Sequence, residues 1–396
     1  KDQIPRCPVI NPHISDDPTY YHLAGCGVAF KTIQAIQQMV GMSRDYAEAY
    51  LFAVALGTIA DVMPMTPENI AIVKLGLQQF KERKCPKGFA MFLDALGEKD
   101  VSPESVAWNI APKLNACGRV GDINTAASLF FADDNTPEDE IYAIIETIKE
   151  ADDRRKELTK EAMKEAEKMN FEHDEACVFR LPEYPVGISG IVANKLAEKY
   201  NKPALVMTGK KILSGSARSP EGLNLQAIFN KEAVRKNLAS FGGHEQAAGF
   251  KVFCDKLDTL KESLNKEISL YIETCGIEVA EPEIAIDGIV SFNLLNKETY
   301  IAVQSLPYDN AAFPQPIFCI KNLAVEKIKS SGNNQNNICL TLKDENGRQK
   351  SIWAWGMGEK YEEIGYPKTI DIAGKITYSL FMGQYTMNIL DLRKAE

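Results

Sequence analysis

Three short stretches of this chain carry residue types suited to holding a phosphate group. The first is Phe241-Gly242-Gly243-His244-Glu245-Gln246-Ala247-Ala248-Gly249-Phe250. Gly242 and Gly243 remove two side chains where a backbone must come close to something, and His244 follows at once. The small residues after His244 are expected to open a helix whose free N–H groups lie beside the imidazole, an arrangement that suits an anion. The second stretch is Ala111-Pro112-Lys113-Leu114-Asn115-Ala116-Cys117-Gly118-Arg119. Asn115 and Arg119 stand four apart, so an amide and a guanidinium can meet at one anion, and the planar fork of Arg matches phosphate. The alternative is an ordinary loop with one exposed Arg. The third is Ser214-Gly215-Ser216-Ala217-Arg218-Ser219, a donor-rich patch at the end of an expected strand. No base accompanies Ser216 in sequence, and the histidines at 13, 22, 173 and 244 include no pair at ligand spacing. Ser216 therefore reads as a phosphate donor. Gly187-Ile188-Ser189-Gly190-Ile191-Val192-Ala193 opens a helix after a strand, a further, weaker approach of backbone to an anion.

A carboxylate of a different kind stands in Gly57-Thr58-Ile59-Ala60-Asp61-Val62-Met63-Pro64-Met65. Asp61 follows an apolar run, where an isolated charge is costly unless it is paired, caps a turn or binds a metal. Hard cations such as Mg²⁺ or Mn²⁺ take carboxylate oxygens, so a metal-bound Asp61 points to one of those. The alternative is an aspartate that caps the following turn.

The elements that must position these residues fall into four parts. Residues 20–42 and 46–60 read as helices, the second almost wholly apolar. Thr66-Pro67-Glu68 and Ser102-Pro103-Glu104 each start a helix, with the hydroxyl residue as N-cap and Pro first. A long helix runs from Thr136-Pro137-Glu138-Asp139 to about residue 170, with a capping-box-like Asp139. At roughly 34 residues it would span about 50 Å, as a rigid connector between domains. Its charged run from Asp152 to Glu157 reads as a solvated face. From 176 to 254, strands at 176–181, 203–208, 211–218 and 250–254 alternate with helices at 189–200 and 224–230, an α/β domain. Beyond 283, short strands and an Asn346-Gly347 turn suggest a small OB-like barrel. Trp353, Trp355, Tyr378 and Phe381 are its stacking candidates, with barrel core as the alternative for each.

Size and composition are consistent with this plan. At 396 residues, the chain exceeds one ordinary core. It has 45% hydrophobic and 25% charged residues, and no apolar run approaches a membrane span. Nine scattered cysteines, none closer than nineteen positions, give no zinc-type pair and read as reduced thiols of a cytoplasmic protein. The net charge of −9 argues against a generic polyanion binder, although residues 321–396 carry eleven Lys/Arg against nine Asp/Glu.

Taken in order, these motifs resemble the RecJ family of the DHH phosphoesterase superfamily. Asn11-Pro12, Leu23–Phe30, Gly57–Pro64, Ala111–Arg119, Gly187–Ala193, Ser214–Ser219 and Gly242–Gly249 match its pattern, over most of the chain. The resemblance implies a multidomain α/β fold. Residues 1–135 would be the C-terminal part of a DHH catalytic domain and 136–170 a connecting helix. Residues 171–275 would be a DHH-associated substrate domain, and 280–396 an OB-like nucleic-acid-binding barrel. It implies a 5′→3′ exonuclease that acts on single-stranded DNA in repair and recombination and releases 5′-mononucleotides with two Mn²⁺ or Mg²⁺ ions. Asp61 would be a metal ligand, Arg119, Ser216 and Arg218 would hold the 5′-phosphate, and His244 would sit at the scissile phosphate. Single-stranded DNA, a helicase or a single-strand-binding protein are the implied partners of a monomer.

Three departures stand out. The family's Asp-x-Asp and Asp-His-His motifs, which supply nearly all metal ligands, are not in the sequence, and a fragment is expected. Glu183–Gly187 lacks the family's His, and the segment 306–314 is degenerate. Two rivals remain: a DHH-type phosphodiesterase on short oligonucleotides or cyclic dinucleotides, and a catalytically incomplete nucleic-acid-binding fragment. The nuclease reading requires Asp61 to face the His244 lobe across a cleft, within about 15 Å, rather than point into solvent.

Overall fold

The computed structural model describes residues 6–14, 18–181, 183–275, 283–305, 314–331, 336–379 and 381–395. The first of its three lobes is helical. Helix Gly25–Val40 is shorter than expected because Pro18–Tyr20 forms a separate 3-10 turn. The expected helix over 46–60 is two helices, Asp45–Glu48 and Leu51–Ala60. The break has a cause in the neighbouring helix Pro67–Lys81: the Gln79 amide donates to the Glu48 carbonyl (2.7 Å) and accepts the Phe52 N–H (2.8 Å). A side chain inserted into the ladder separates the two pieces.

Thr66 caps its helix as expected, and Ser102 forms a reciprocal box with Ser105. The turn that Ser102 starts continues through one π-helical turn, Val106–Ile110, into helix Ala111–Val120. Residues 111–119 are thus helix, and the loop alternative for Arg119 falls.

The long helix runs Glu138–Ala166, 29 residues, or about 44 Å. Thr136 does not cap it; its hydroxyl accepts the Asp133 N–H instead, and Glu138, Asp139 and Glu140 complement the helix dipole. Its apolar stripe serves two cores in turn. Ile141, Ile145 and Ile148 pack with Phe52, Phe80, Phe89 and Phe92 of the helical lobe. Leu158, Ala162 and Ala166 pack with Phe179, Val192 and Leu196 of the next lobe. Each fully buried isoleucine contributes about 2 kcal/mol, so the helix is stapled at both ends. In the turn between the two stripes Asp153, Arg154, Lys156 and Glu157 are exposed, as expected of a solvated face, but Asp152 is only 2% exposed and is paired with Arg155 and Lys156.

The second lobe holds a mixed five-stranded sheet: β1 (Cys177–Arg180), β2 (Ala204–Thr208), β3 (Ile212–Arg218), β4 (Leu238–Gly243) and β5 (Ala247–Phe253). Their order is β1-β2-β3-β5-β4; β1 and β2 are parallel, joined through helix Ser189–Tyr200, and the other pairs are antiparallel. Strand β3 buries Leu213, Gly215 and Ala217 and leaves Ser214, Ser216 and Arg218 part-exposed on its other face, the period-two pattern of a half-buried strand. No helix follows His244. Ala248, Phe250 and Val252 alternate into the core, so the segment pairs as β5 in a hairpin with β4.

The third lobe is antiparallel apart from β6 (Gly288–Ile289), which runs parallel to β7 (Phe318–Ser331). Strands β8 (Asn337–Lys343), β9 (Gln349–Ala354), β10 (Thr369–Ser379) and β11 (Gln384–Lys394) complete the order β11-β10-β7-β8-β9. Gln384 donates to the Ser351 carbonyl and Lys350 to the Tyr385 carbonyl, drawing the two end strands together into an OB-like barrel. Ile338, Leu340, Leu342, Ile352, Ile370, Ile372 and Ile376 fill its interior. The degenerate 306–313 segment and the loop tip at 332–335 lie outside the described residues.

Candidate phosphate-binding site

The site forms where the helical lobe meets the second lobe. Gly187 decides the approach. A Cβ there would stand 2.3 Å from the Arg119 carbonyl oxygen and 2.5 Å from its Cα, so only glycine fits. In return, Arg119 Nη1 donates to the Gly187 carbonyl at 3.0 Å. Helix Ser189–Tyr200 starts two residues later and presents Ser189 and Gly190 to β3. The Ser189 and Ser216 hydroxyls are 3.1 Å apart, and an ideal Cβ on Gly190 would lie 3.3 Å from Arg218 Nη2 and 3.5 Å from Ser216 Oγ. Arg119, Ser189, Gly190, Ser216 and Arg218 therefore converge from three elements in two lobes.

The electrostatics of this cluster are one-sided. Burial first, and then the positive charges of Arg155 and Arg218, hold the Arg119 guanidinium below its ordinary range; burial does the same to Arg218. The hydrogen bonds of both go to carbonyls, Gly187 for Arg119 and Ala217 for Arg218, and among the described residues neither has a carboxylate partner. Half-buried like charges repel and lose hydration, a cost that a bound anion would offset. The helix start at Ser189 lies beside them, with the Ser189 N–H and hydroxyl both donated to the Val186 carbonyl.

Strand register brings the Gly-Gly-His turn alongside. Arg218 pairs with Ala247 on β5, and His244 N–H donates to the Ala247 carbonyl at 2.7 Å. His244 is thus two strand spacings, about 10 Å, from the Arg218 backbone, and its side chain is exposed. Gly243 is required by the hairpin: its φ is +154° and a Cβ would meet the Ala247 carbonyl oxygen at 2.3 Å. Gly242 faces open space, so no packing within the chain explains it. Asn115 lies one turn before Arg119 on the same helix and is exposed, with no contact to the cluster.

Asp61 is placed differently from the expectation. Helix Leu51–Ala60 ends at the surface, and Asp61, its C-cap, is exposed. Met63 N–H bonds to the Thr58 carbonyl and Val62 N–H to that of Ile59, with Val62 at φ 54°, so the helix closes in a Schellman motif. The buried Asn69 amide donates to the carbonyls of His22 (2.7 Å) and Pro64 (2.8 Å) and pins the loop. Burial therefore no longer argues for a metal at Asp61, and the requirement that it avoid solvent is not met; that requirement was too strict, because a carboxylate that meets a hydrated cation is itself open to water. An exposed carboxylate is the right donor for Mn²⁺ or Mg²⁺, but such ions take several oxygens. Among the described residues, no group of three or more His, Cys, Asp or Glu is placed to hold one. These residues alone do not complete a metal site.

The barrel carries a surface aromatic cluster. Trp353 on β9 and Trp355 just past its end stack with centroids 4.8 Å apart, and Trp353 meets Phe381 edge-on at 6.4 Å. Trp355 is 54% and Phe381 82% exposed. Tyr378 and Tyr385 pair at 4.9 Å. None of the four stacking candidates is core, and the core alternative fails for each.

Comparison with known proteins bears on the lobes that carry these residues. The model of the DHHA1 domain matches residues 173–270, and that of the RecJ OB domain matches residues 286–390. The single-stranded-DNA-specific exonuclease RecJ of Bacillus subtilis is 28% identical over 90% of this chain and 44% of its own length. That of Thermus thermophilus is 28% identical over 98% of this chain and 54% of its own. This chain is RecJ-like. The crystal structure of Thermus thermophilus RecJ with Mn²⁺ superposes with a TM-score of 0.80 at 24% identity, covering all of this chain and 57% of that one. A second, an exonuclease RecJ bound to manganese, gives 0.54 at 27% identity over 65% of this chain and 64% of that one. The RecJ-like chain spans about half the length of these curated relatives.

Sequence reasoning missed Ser189 and Gly190 as parts of the cluster, and Arg155 as the neighbour whose charge acts on Arg119. Ser189 and Gly190 were within reach, since both lie in a stretch already noted for a helix start. Arg155 was hidden in a charge run.

Proposed function

We propose that this chain supplies the strand-binding and 5′-phosphate-binding parts of a single-stranded-DNA-specific 5′→3′ exonuclease that releases 5′-mononucleotides in DNA repair and recombination. The observation that carries the reading is the pair of half-buried guanidiniums, Arg119 and Arg218, contributed by two lobes and left without carboxylate partners beside two hydroxyls. Such a pocket holds a phosphate monoester, whose two negative charges two guanidiniums balance. Holding the strand terminus fixes how far along the backbone cleavage falls, which makes an exonuclease rather than an endonuclease.

In this reading, His244 and the exposed turn at Gly242-Gly243 receive the next phosphate and stabilise the charge developing on it. Asp61 would offer one carboxylate oxygen to a Mn²⁺ or Mg²⁺ ion, which would supply an activated water and a Lewis acid. Asn115 lines the path of the strand between pocket and metal. The barrel holds the strand further along through Trp353, Trp355 and Phe381, on the strand-2/strand-3 face and the strand-4/strand-5 loop that OB folds use for oligonucleotides. The domain limits that go with this reading are 1–135, 136–170, 171–275 and 280–396. The protein acts in the cytoplasm as a monomer, with a helicase or a single-strand-binding protein beside it.

The test is Arg218→Ala in the full-length enzyme. Hydrolysis of 5′-phosphorylated single strands should fall by about tenfold or more, the worth of one charge-assisted hydrogen-bond pair. Unchanged activity would remove the 5′ pocket from this reading. A second reading, a strand-binding relative without hydrolysis, draws on the lack of a carboxylate cluster among the described residues. Calorimetric titration of Mn²⁺ separates the two: tight stoichiometric binding by the full-length protein excludes the inert one.

A further inference from the structure

The long helix Glu138–Ala166 packs on helix Ala111–Val120, on the turn Val186–Ile188 and on helix Ser189–Tyr200. Those are the elements that bring Arg119, Gly187, Ser189 and Gly190 together. Its apolar stripe leaves the first core after Ile148 and enters the second at Leu158. The turn in between, Asp152 to Lys156, is therefore at the seam where the pocket forms, and Val120, next to Arg119, packs into the second core at the same seam.

Asp152 is a buried carboxylate that the proposed reaction does not use. Its Oδ1 accepts both Nε (3.1 Å) and Nη2 (2.7 Å) of Arg155, and its Oδ2 lies 2.7 Å from Lys156 Nζ. The Arg155 side chain is only 18% exposed, whereas Arg154, one residue earlier, is 56% exposed and pairs with Glu157. Lys156 Nζ also lies 3.4 Å from Asp153 Oδ1, so Asp152 and Asp153 together balance Arg155 and Lys156. Two of the five guanidinium N–H groups are fixed by Asp152, which leaves the outer edge of Arg155 with donors to spare. Arg155 is also close enough for its charge to act on Arg119.

We propose that Arg155, aimed by the buried Asp152, is a third guanidinium of the anion pocket and sets its preference for a phosphorylated over a hydroxyl 5′ end. Asp152 is a positioning residue: it touches no ligand and acts through Arg155. The inference rests on the reading of Arg119 and Arg218 as a 5′-phosphate pocket and names a specificity determinant for it.

The experiment measures binding of this chain, in EDTA, to one fluorescent single-stranded oligonucleotide carrying either a 5′-phosphate or a 5′-hydroxyl. The readout is the ratio of the two affinities. Arg155→Gln should lower the ratio about tenfold by weakening the phosphorylated strand, with the hydroxyl strand bound within about twofold of wild type. Arg155→Lys should recover part of the loss, because it restores charge without the fork. Asp152→Asn should lower the ratio severalfold, and should add nothing in an Arg155→Gln background, since a positioning residue acts only through its partner. Melting curves identify any variant that does not fold, and Arg155→Lys then supplies the comparison. An unchanged ratio in the Arg155 variants, with a lowered one in Arg218→Ala, overturns this inference alone. An unchanged ratio in Arg218→Ala as well overturns the phosphate pocket itself. Additive losses for Asp152→Asn and Arg155→Gln overturn the positioning role.

Discussion

Val62 adopts a left-handed backbone conformation, φ 54°, that β-branched residues rarely take. It occupies the position after a helix where glycine is usual, and its side chain is 54% exposed, so little packing repays the strain. A non-glycine residue in that conformation costs about 1–2 kcal/mol, part of which is set against the extra flexibility glycine brings to the unfolded chain. Val62→Gly is therefore expected to raise stability by roughly 0.5–1 kcal/mol in urea unfolding. A drop in the midpoint would show that the valine is held by contacts stronger than its strain. Legibility at this scale was uneven. Ser216 and Arg218 could be read directly, because one strand puts every second residue on one face. Asp61 was singled out on the supposition of burial, which the surface end of its helix contradicts. The buried Asp152–Arg155 pair was not legible because Asp152-Asp153-Arg154-Arg155-Lys156 looks like any solvated charge run, which its other members are; the signal was the break in the apolar stripe between Ile148 and Leu158.

The long helix makes that break consequential. Burial alone would push the Asp152 carboxyl up, but hydrogen bonds from Lys156 and Arg155 outweigh it and hold the group below the ordinary carboxylate range. A depressed carboxyl stabilises the fold at neutral pH, and the contribution is lost as pH falls below about 4 and through the folded-state value. Asp152→Asn should cost about 3 kcal/mol at pH 7, the order seen when one partner of a buried pair is removed, and should flatten the acid limb of stability against pH. Parallel acid limbs for wild type and variant would show that the pair contributes nothing. Helix caps at Thr66 and Ser102 were legible in the sequence because hydroxyl-Pro-Glu is a local signal. The break at Ala49–Tyr50 was not, since it depends on Gln79, some thirty residues away in sequence. The helix expected after His244 was an error of period: Ala248, Phe250 and Val252 alternate, which is a strand pattern once Gly249 is read as part of it.

Across the whole molecule, the barrel is the element most open to a direct test. Stacking on an aromatic contributes about 1–3 kcal/mol per base. Trp353→Ala and Trp355→Ala should each weaken single-strand binding roughly tenfold while leaving the preference for a 5′-phosphate unchanged; fluorescence titration measures both. Equal affinities would return the pair to mere surface decoration. The order of lobes was readable from shifts between helical and alternating patterns. The meeting point of the lobes was not, because Gly187 and Arg119 are far apart in sequence and neither is unusual alone. Their contact has a mechanical consequence. Two main chains meet there with no room for a methyl group, so even alanine at position 187 would wedge the two lobes apart at the seam.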